Sequence, residues 1–122
     1  MQRMSGLVLA ETVVAPGAPD PVVMGFLLFS RTAEAGIIMK LAVGAAFRGR
    51  GVGRALLRRG IDELHRPISR RCSGLASIML HVDPSRTAAR GLYESVGFVE
   101  EEHLRGYYAD GRDALLMKLH TR

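Results

Sequence analysis

The spacing of apolar residues in the first third of the chain is typical of strands. Residues 6–14 and the almost wholly apolar run 22–31 are both rich in β-favouring side chains, and residues 37–47 continue in the same way. The turn-forming stretch 15–21 separates the first strand from the second. A short turn ending at Gly36 separates the second from the third, so these two strands are expected to form a hairpin.

The period of the apolar pattern then lengthens to that of a helix. Residues 52–66 carry apolar side chains on one helical face and charged side chains on the other, and Pro67 is expected to end this helix. The apolar face comprises Leu56, Leu57, Ile61 and Leu64.

The remaining segments predict a strand, a helix and a hairpin. After a loop over 66–74, the nearly continuous apolar run 75–82 indicates a central strand covered on both faces. Residues 86–96 predict a short helix, with Ser85 as its N-cap and Gly97 just beyond its end.

The last two strands, 98–108 and 113–120, join around a turn of Ala, Asp and Gly. The predicted order of elements is β-β-β-α-β-α-β-β, which indicates an α/β protein with a mixed sheet.

Composition and charge narrow the class of partner. The 122 residues suffice for a single domain over 1–122, and 48% hydrophobic with 24% charged residues is usual for a globular protein. The net charge of +5 comes mostly from arginine, whose forked guanidinium suits phosphate and carboxylate. An anionic partner is therefore expected.

The compartment is predicted from what the chain lacks. Cys72 is its one cysteine, which fits a reducing environment, and no apolar run approaches the ~20 residues of a membrane span. The apolar N-terminal stretch has no cleavage signature of a secretory peptide. A cytoplasmic protein without a membrane partner is expected.

The stretch FRGRGVGRALL, residues 47–57, follows a strand and opens a helix, a position where free backbone N–H groups favour phosphate. A P-loop is excluded because Arg54 and Ala55 follow Gly53, and the spacing does not match a dinucleotide fingerprint. The remaining pattern is Arg48, Gly51 and Gly53 in the form R-x-x-G-x-G. On this stretch alone, a merely tight turn from strand to helix is the alternative.

A second stretch, LHVDPSRTAARGLYESVGF (residues 80–98), also runs from a strand into a helix and ends in Y-E-x-x-G-F. Together, in this order, the two stretches resemble the GNAT superfamily of acetyl-CoA-dependent N-acetyltransferases, over about residues 22–119. The resemblance implies a GNAT fold whose central strands splay apart, with acetyl-CoA as cosubstrate.

The resemblance also implies which residues meet acetyl-CoA. A strand backbone would pair with the pantetheine arm, and the glycine-rich loop would bind the diphosphate. Tyr93 would act as general acid toward the leaving thiolate. Arg86 stands where the family usually has Asn, so its contact with the phosphates is less firmly implied. The implied contacts on the strand and loop are Leu41, Ala42, Val43, Arg48, Gly49, Arg50, Gly51, Val52, Gly53 and Arg54.

Two features point to an α-amino acceptor. The hairpin LRGYYADGRDALLMKL, residues 104–119, resembles that of protein N-terminal acetyltransferases, the group that includes the bacterial ribosomal-protein alanine acetyltransferases. There the paired tyrosines, here Tyr107 and Tyr108, contact the peptide. His81 is expected to act as base. An α-amine, with a pKa of about 7.7–8.0, demands less of a weak base than a lysine amine near 10.4.

Alternative interpretations remain for these residues. His81 can be a buried structural histidine, and the two tyrosines can be a generic pair at a sheet edge. A small-molecule amine as acceptor and a non-catalytic acyl-CoA-binding protein are the alternative functions. Nucleic-acid binding is unlikely, because aromatic residues are only 6% and do not interleave with the arginines, among them Arg58, Arg59, Arg66, Arg70 and Arg71.

Three further expectations concern the whole molecule. His65, His103 and His120 are scattered, so no metal site is predicted. The sequence starts at about the second strand of the GNAT fold, so the usual N-terminal strand and helices, which form one wall of the acceptor site, are expected to be lacking. That wall would be absent, shortened or supplied by another chain, and a homodimer is one such arrangement.

Overall fold

The elements follow the predicted order, with six strands in one sheet. The computed structural model describes residues 4–11, 20, 22–32, 34–66 and 75–121. The strands are β1 (Met4–Glu11), β2 (Val23–Arg31), β3 (Ala35–Val43), β4 (Ser77–Val82), β5 (Val99–Ala109) and β6 (Arg112–His120). The helices are α1 (Val52–His65) and α2 (Thr87–Ser95), with a single 3-10 turn at Ala45–Phe47.

The sheet is mixed, and its two central strands separate. The strand order is β1-β2-β3-β4-β6-β5, in which β3 and β4 are parallel and the other neighbours antiparallel. Over the described residues of β3 and β4, pairing runs only from Ala35↔Ser77 to Ile37↔Met79, although β3 continues to Val43 and β4 to Val82. The expected mixed sheet with splayed strands is therefore confirmed.

One face of the sheet packs against both helices and forms the core. Alternate residues of the strands point to this face, and the helices contribute their apolar sides. Burying each such side chain contributes about 1.5–3 kcal/mol, so this face provides most of the stability. Core residues include Leu27, Phe29, Leu56, Leu57, Leu64, Ile78, Leu80, Val82, Tyr93 and Phe98.

Two contacts set the position of α1 on the sheet. At Gly60 the helix approaches β2 so closely that an added Cβ would lie 2.6 Å from Leu27 Cδ2. At the end of the helix, the buried guanidinium of Arg31 donates hydrogen bonds to the carbonyls of Leu64 and Arg66. These bonds satisfy last-turn carbonyls that a helix leaves without partners.

The third strand was predicted to reach Phe47, and this is wrong. β3 ends at Val43, because the Phe47 amide donates to the Gly44 carbonyl at 2.9 Å and closes a 3-10 turn. The two alanines at 45 and 46 favour such a turn over a strand. This turn directs the chain away from the sheet and toward the start of α1.

Two further predictions about β4 and α2 were also wrong. β4 was expected to be covered on both faces, but Met79 and His81 are only half-buried while Ile78, Leu80 and Val82 are buried. Ser85 was expected to cap α2, but its hydroxyl donates to Asp83 Oδ1 at 2.7 Å. The helix starts at Thr87 and the cap position is Arg86.

The predicted end of α2 is confirmed. Gly97 has φ 109°, its amide donates to the Glu94 carbonyl, and the Phe98 amide donates to the Tyr93 carbonyl. This is a Schellman motif, which glycine favours. The first strand beyond Glu11 and the loop with Pro67, Arg70, Arg71 and Cys72 lie outside the described residues. Among those described, no helix is long and apolar enough to cross a membrane.

Candidate active site

The divergence of β3 and β4 opens two cavities that meet between the strands. The loop cavity, about 810 Å³, lies between β3, the loop before α1 and the first turns of α2. The hairpin cavity, about 370 Å³, lies between the ends of β3 and β4 and the β5–β6 hairpin. Both volumes are in the range of small-molecule sites. Lys40, Leu41, Arg86 and Tyr93 line both cavities.

Apolar side chains line the loop cavity from β3 and from α2. β3 contributes Leu41, Ala42 and Val43 on one side, and α2 contributes small and apolar side chains on the other. The α2 residues were not predicted from the sequence, although their spacing of three and four places them on one helical face. They are Ala88, Ala89 and Leu92.

Two glycines give the loop before α1 its exposed backbone. Gly49 and Gly51 have φ of 77° and 80°, and an added Cβ at either would meet nothing within 4 Å. This left-handed conformation is strained for other residues. Gly53 lies within α1, where a Cβ would be 3.2 Å from Leu92 Cδ2, so its lack of a side chain lets the two helices approach.

The N-terminus of α1 presents free donors to the loop cavity. Gly51 occupies the N-cap position and has no side chain that could accept hydrogen bonds from the first-turn amides. These are the amides of Val52, Gly53 and Arg54. Unpaired N–H groups and the positive end of the helix dipole attract anions. Val52, Gly53 and Arg54 all line the cavity, so this helix start can bind a phosphate.

The arginines of the loop differ in their orientation. Arg48 Nε donates to the Val43 carbonyl at 3.3 Å, and Arg54 Nη2 donates to Ser95 Oγ at 3.1 Å. Arg48 and Arg54 line the loop cavity. Arg50 lies instead with its guanidinium 6.0 Å from the ring centroid of Phe47. Within the described lining of the cavity, Arg50 is the one predicted loop residue that is missing.

Tyr93 lies where the two cavities join. Its side chain is 8% exposed and packs edge-on against Phe98, with ring centroids 6.0 Å apart. Burial raises the pKa of the phenol above its ordinary value of 10.0, and the charge of Arg86 opposes this only in part. The hydroxyl is therefore protonated at neutral pH and available as a donor.

His81 lines the hairpin cavity from β4. Its neighbours Leu80 and Val82 point into the core, so the imidazole points to the other face, because side chains alternate along a strand. The ring stacks on Tyr107, with centroids 4.6 Å apart and planes 12° from parallel. Burial lowers the pKa of His81 below its ordinary value of 6.5, which keeps the imidazole neutral at pH 7.

The two tyrosines of the hairpin are half-exposed at the mouth of the hairpin cavity. Their rings meet edge to face, with centroids 5.1 Å apart. Tyr108 lines the cavity directly, whereas Tyr107 reaches it through His81. The guanidinium of Arg112 lies 5.5 Å from the Tyr108 ring centroid.

Besides Arg86, three charged side chains that the sequence did not single out line the hairpin cavity: Lys40, Asp83 and Arg112. Asp83 Oδ1 accepts hydrogen bonds from the amide and hydroxyl of Ser85, and these lower the pKa of Asp83. Arg112 Nη2 lies 3.8 Å from Asp83 Oδ2. Lys40 and Arg112 come from strands far apart in sequence, so no local pattern could have placed them in one cavity.

The geometry therefore places a neutral imidazole in the hairpin cavity, a protonated phenol where the two cavities join, and a loop with exposed backbone amides in the loop cavity. In the described part of the chain, no three His, Cys, Asp or Glu side chains are grouped to hold a metal ion. A phosphate-bearing molecule in the loop cavity can reach the junction along β3. A second molecule can reach it through the hairpin cavity, between His81 and Tyr108.

Known proteins resemble the chain in sequence and in fold. The model of the acetyltransferase (GNAT) family matches residues 9–98. The [ribosomal protein bS18]-alanine N-acetyltransferase of Escherichia coli (strain K12) is 42% identical over 85 residues, 67% of this chain and 53% of that protein. The chain thus spans about half the length of this curated relative.

Two solved structures are also similar. The crystal structure of the ribosomal-protein-S18-alanine N-acetyltransferase from Escherichia coli has a TM-score of 0.67 at 34% identity, covering 80% of this chain and 61% of that one. A chain of the NatC complex bound to Gag peptide and CoA has a TM-score of 0.72 at 29% identity, covering 87% of this chain and 65% of that one.

Proposed function

Because the chain belongs to the acetyltransferase (GNAT) family, we propose that it transfers the acetyl group of acetyl-CoA to a primary amine, the α-amino group of a protein or peptide N-terminus. The observation that carries this proposal is the meeting of the two cavities at Leu41 and Tyr93. A donor that fills one cavity and an acceptor that fills the other would bring their reacting atoms together there.

The loop cavity is the proposed site for acetyl-CoA. The diphosphate would accept hydrogen bonds from the backbone of the loop and from the first turn of α1, where Gly49 and Gly51 leave the amides exposed. Past Ile37, the described β3 has no partner on β4, so that edge of its backbone can pair with the pantetheine arm. Arg86 and Arg54 add positive charge beside the phosphates.

His81 is the proposed base on the acceptor side. Roughly a tenth of α-amines are already neutral at pH 7, since their pKa is about 7.7–8.0. As the amine attacks the thioester carbonyl, a C–N bond forms and the nitrogen loses a proton to His81, directly or through water. The neutral state of this imidazole, held by burial, allows it to accept that proton.

Tyr93 is the proposed acid for the leaving group, and β3 the proposed support for the developing charge. Free N–H groups on the edge of β3 would donate to the carbonyl oxygen as it becomes negative. When the C–S bond breaks, the thiolate takes a proton from the Tyr93 hydroxyl, which solvent then restores. The raised pKa of Tyr93 keeps the phenol protonated for this step.

The choice of an α-amine has two sources of support. The similar protein of Escherichia coli is named for acetylating the alanine of ribosomal protein bS18, and the NatC structure holds a peptide together with CoA. In this chain Tyr107 and Tyr108 stand half-exposed at the mouth of the hairpin cavity, where their hydroxyls can bind a peptide backbone.

The test is thiol release from acetyl-CoA in the presence of candidate acceptors. Short peptides with free N-termini, free amino acids and polyamines are each added to the protein at one concentration. We expect release with the peptides above the rate without an acceptor. Release with polyamines or amino acids alone would assign a small-molecule acceptor. Tight CoA binding without release in any arm would indicate a non-catalytic acyl-CoA-binding protein.

A further inference from the structure

Strand β5 of the β5–β6 hairpin contains a large bulge, which lies opposite a single residue of β6. Pairing stops at Leu104↔Ala114 and resumes at Ala109↔Arg112. Four residues of β5, 105–108, therefore face the single residue Asp113 on β6. A bulge of this size needs hydrogen bonds of its own, because the regular ladder is interrupted across it.

The carboxylate of Asp113 supplies those bonds. Its Oδ1 accepts a hydrogen bond from the Gly106 amide at 2.9 Å, and its Oδ2 lies 2.7 Å from His103 Nε2. Gly106 has φ 65°, the left-handed conformation that glycine adopts readily. One side chain of β6 thus binds the middle of the bulge and also His103, in the regular part of β5 that precedes the bulge.

The bulge carries the two tyrosines of the candidate site. Tyr107 directly follows Gly106, and its ring stacks on His81. Tyr108 comes next and lines the hairpin cavity beside Arg112. The backbone conformation at Gly106 therefore contributes to the direction in which Tyr107 projects toward the imidazole.

We propose that Asp113 is a positioning residue, which holds the bulge 105–108 so that Tyr107 covers His81 at the entrance to the acceptor site. His103 orients the Asp113 carboxylate through its ring nitrogen. The catalytic consequence of this arrangement rests on the proposed function, whereas the placement of Tyr107 over His81 does not.

Several titratable and charged groups also line the cavity that His81 faces, and the substitutions used as a test must leave them unchanged. The hairpin cavity around the imidazole is lined by Lys40 from β3, Asp83 just after β4, and Arg86 just before α2. The hairpin adds Tyr108 and Arg112. Asp113 itself is bound to His103 and Gly106, and Arg105 contributes a nearby charge. The effect expected of Asp113 on His81 is therefore conveyed by the position of Tyr107.

The experiment follows the His81 ring by NMR in the full chain, across a pH titration. In Asp113→Ala, Tyr107 should leave the imidazole. The ring protons of His81 should then lose the upfield shift caused by stacking, and the pKa of His81 should rise toward 6.5. Asp113→Asn keeps an oxygen for the Gly106 amide, so its changes should be smaller and in the same direction. Asp110→Asn, at the hairpin turn, is the matched control and should leave the His81 signals unchanged.

Kinetics provide the second measurement. In Asp113→Ala the KM for a peptide should rise by about tenfold while the dissociation constant of CoA stays within about twofold, since the loop cavity is untouched. Unchanged His81 shifts and pKa in Asp113→Ala would overturn the proposal. If Asp113→Ala does not fold, unchanged ring shifts and an unchanged pKa of His81 in Asp113→Asn would overturn the proposal. A protein that acetylates no peptide would fail the proposed function, and the NMR result alone would then decide the role of Asp113.

Discussion

The imidazole of His81 and the phenol ring of Tyr107 lie nearly parallel, with centroids 4.6 Å apart. They come from β4 and β5, two strands that are separated in the sheet by β6. The stack covers one face of the imidazole and shields that face from water. It therefore links the position of the β5–β6 hairpin to the protonation of the proposed base.

The pH dependence of kcat/KM tests the role of His81. The pKa of His81 lies below 6.5, and that of an α-amine is about 7.7–8.0. If both groups must be deprotonated, log kcat/KM should rise with a slope of two below the pKa of His81. The slope should be one between the two values, and the curve should be level above pH 8.

His81→Gln should remove the steep limb at acid pH. Its kcat/KM at pH 7 should fall by about 10- to 100-fold, at or below the lower end of the roughly 100- to 10,000-fold that a general base contributes, because part of the amine is already neutral. A wild-type slope that never exceeds one would contradict a basic role for His81. The free energy of unfolding should also fall at acid pH. Because the folded state holds the pKa of His81 below 6.5, the unfolded chain binds the proton more readily, so stability is lost as the pH falls below 6.5.

Tyr93→Phe removes the hydroxyl and keeps the ring that packs on Phe98. We expect kcat to fall by about 10- to 100-fold while the dissociation constant of acetyl-CoA changes by less than about threefold, because the hydroxyl acts on the leaving group. Single-turnover kinetics and calorimetry measure the two effects. Tyr108→Phe makes the same chemical change at the cavity mouth and should raise the KM for a peptide instead. An intact kcat in Tyr93→Phe would leave Tyr93 with a packing role only.

Gly51→Ala should weaken CoA binding. The substitution places a Cβ at φ 80° in open space of the loop cavity, where the proposed phosphates would lie. We expect the dissociation constant of CoA to rise by about tenfold or more, which corresponds to about 1.4 kcal/mol. Gly111→Ala imposes similar strain at φ 77° in the β5–β6 turn and is the matched control. Equal CoA affinity in the two variants, measured by calorimetry, would remove the loop from the binding site.

Gly60→Ala and Gly91→Ala separate helix propensity from packing. Both residues lie within helices, where alanine gains about 1 kcal/mol over glycine. At Gly60 the new methyl group would press on buried Leu27, whereas at Gly91 it meets nothing within 4 Å. Overpacking costs about 1–3 kcal/mol, so Gly60→Ala should lower the free energy of unfolding and Gly91→Ala should raise it. Urea unfolding measures both, and stabilisation by Gly60→Ala would contradict the close packing of α1 on β2.

Local sequence patterns predicted both helices and the order of the six strands. The period of α1 and the glycine after α2 are strong local signals, and both were confirmed. The end of β3 was missed because the apolar run continues through Phe47, and this continuity was given more weight than the low strand propensity of the glycine and the two alanines. The cap of α2 was missed because Ser85 binds Asp83, a choice between two local partners that the sequence leaves open.

The residues of the candidate site could be anticipated only where they share one segment. The glycine-rich loop was visible in the sequence itself, whereas Tyr93 was implied by the resemblance to the GNAT superfamily. Lys40, Asp83 and Arg112 meet in the hairpin cavity because three strands converge there. The bond from Asp113 to Gly106 likewise depends on the register of β5 against β6, which no pattern within either strand encodes.

The most direct test of the proposed function compares two peptides of the same length, which differ only at the N-terminus and at one internal position, after incubation with acetyl-CoA. One has a free N-terminus and no lysine, and the other has a blocked N-terminus and one lysine, placed to present its side-chain amine. Mass spectrometry then measures the acetylated fraction of each over time. We predict acetylation of the free N-terminus well above that of the lysine, because a weak base such as His81 suits the less basic amine. Equal or greater acetylation of the blocked peptide would contradict the α-amine assignment.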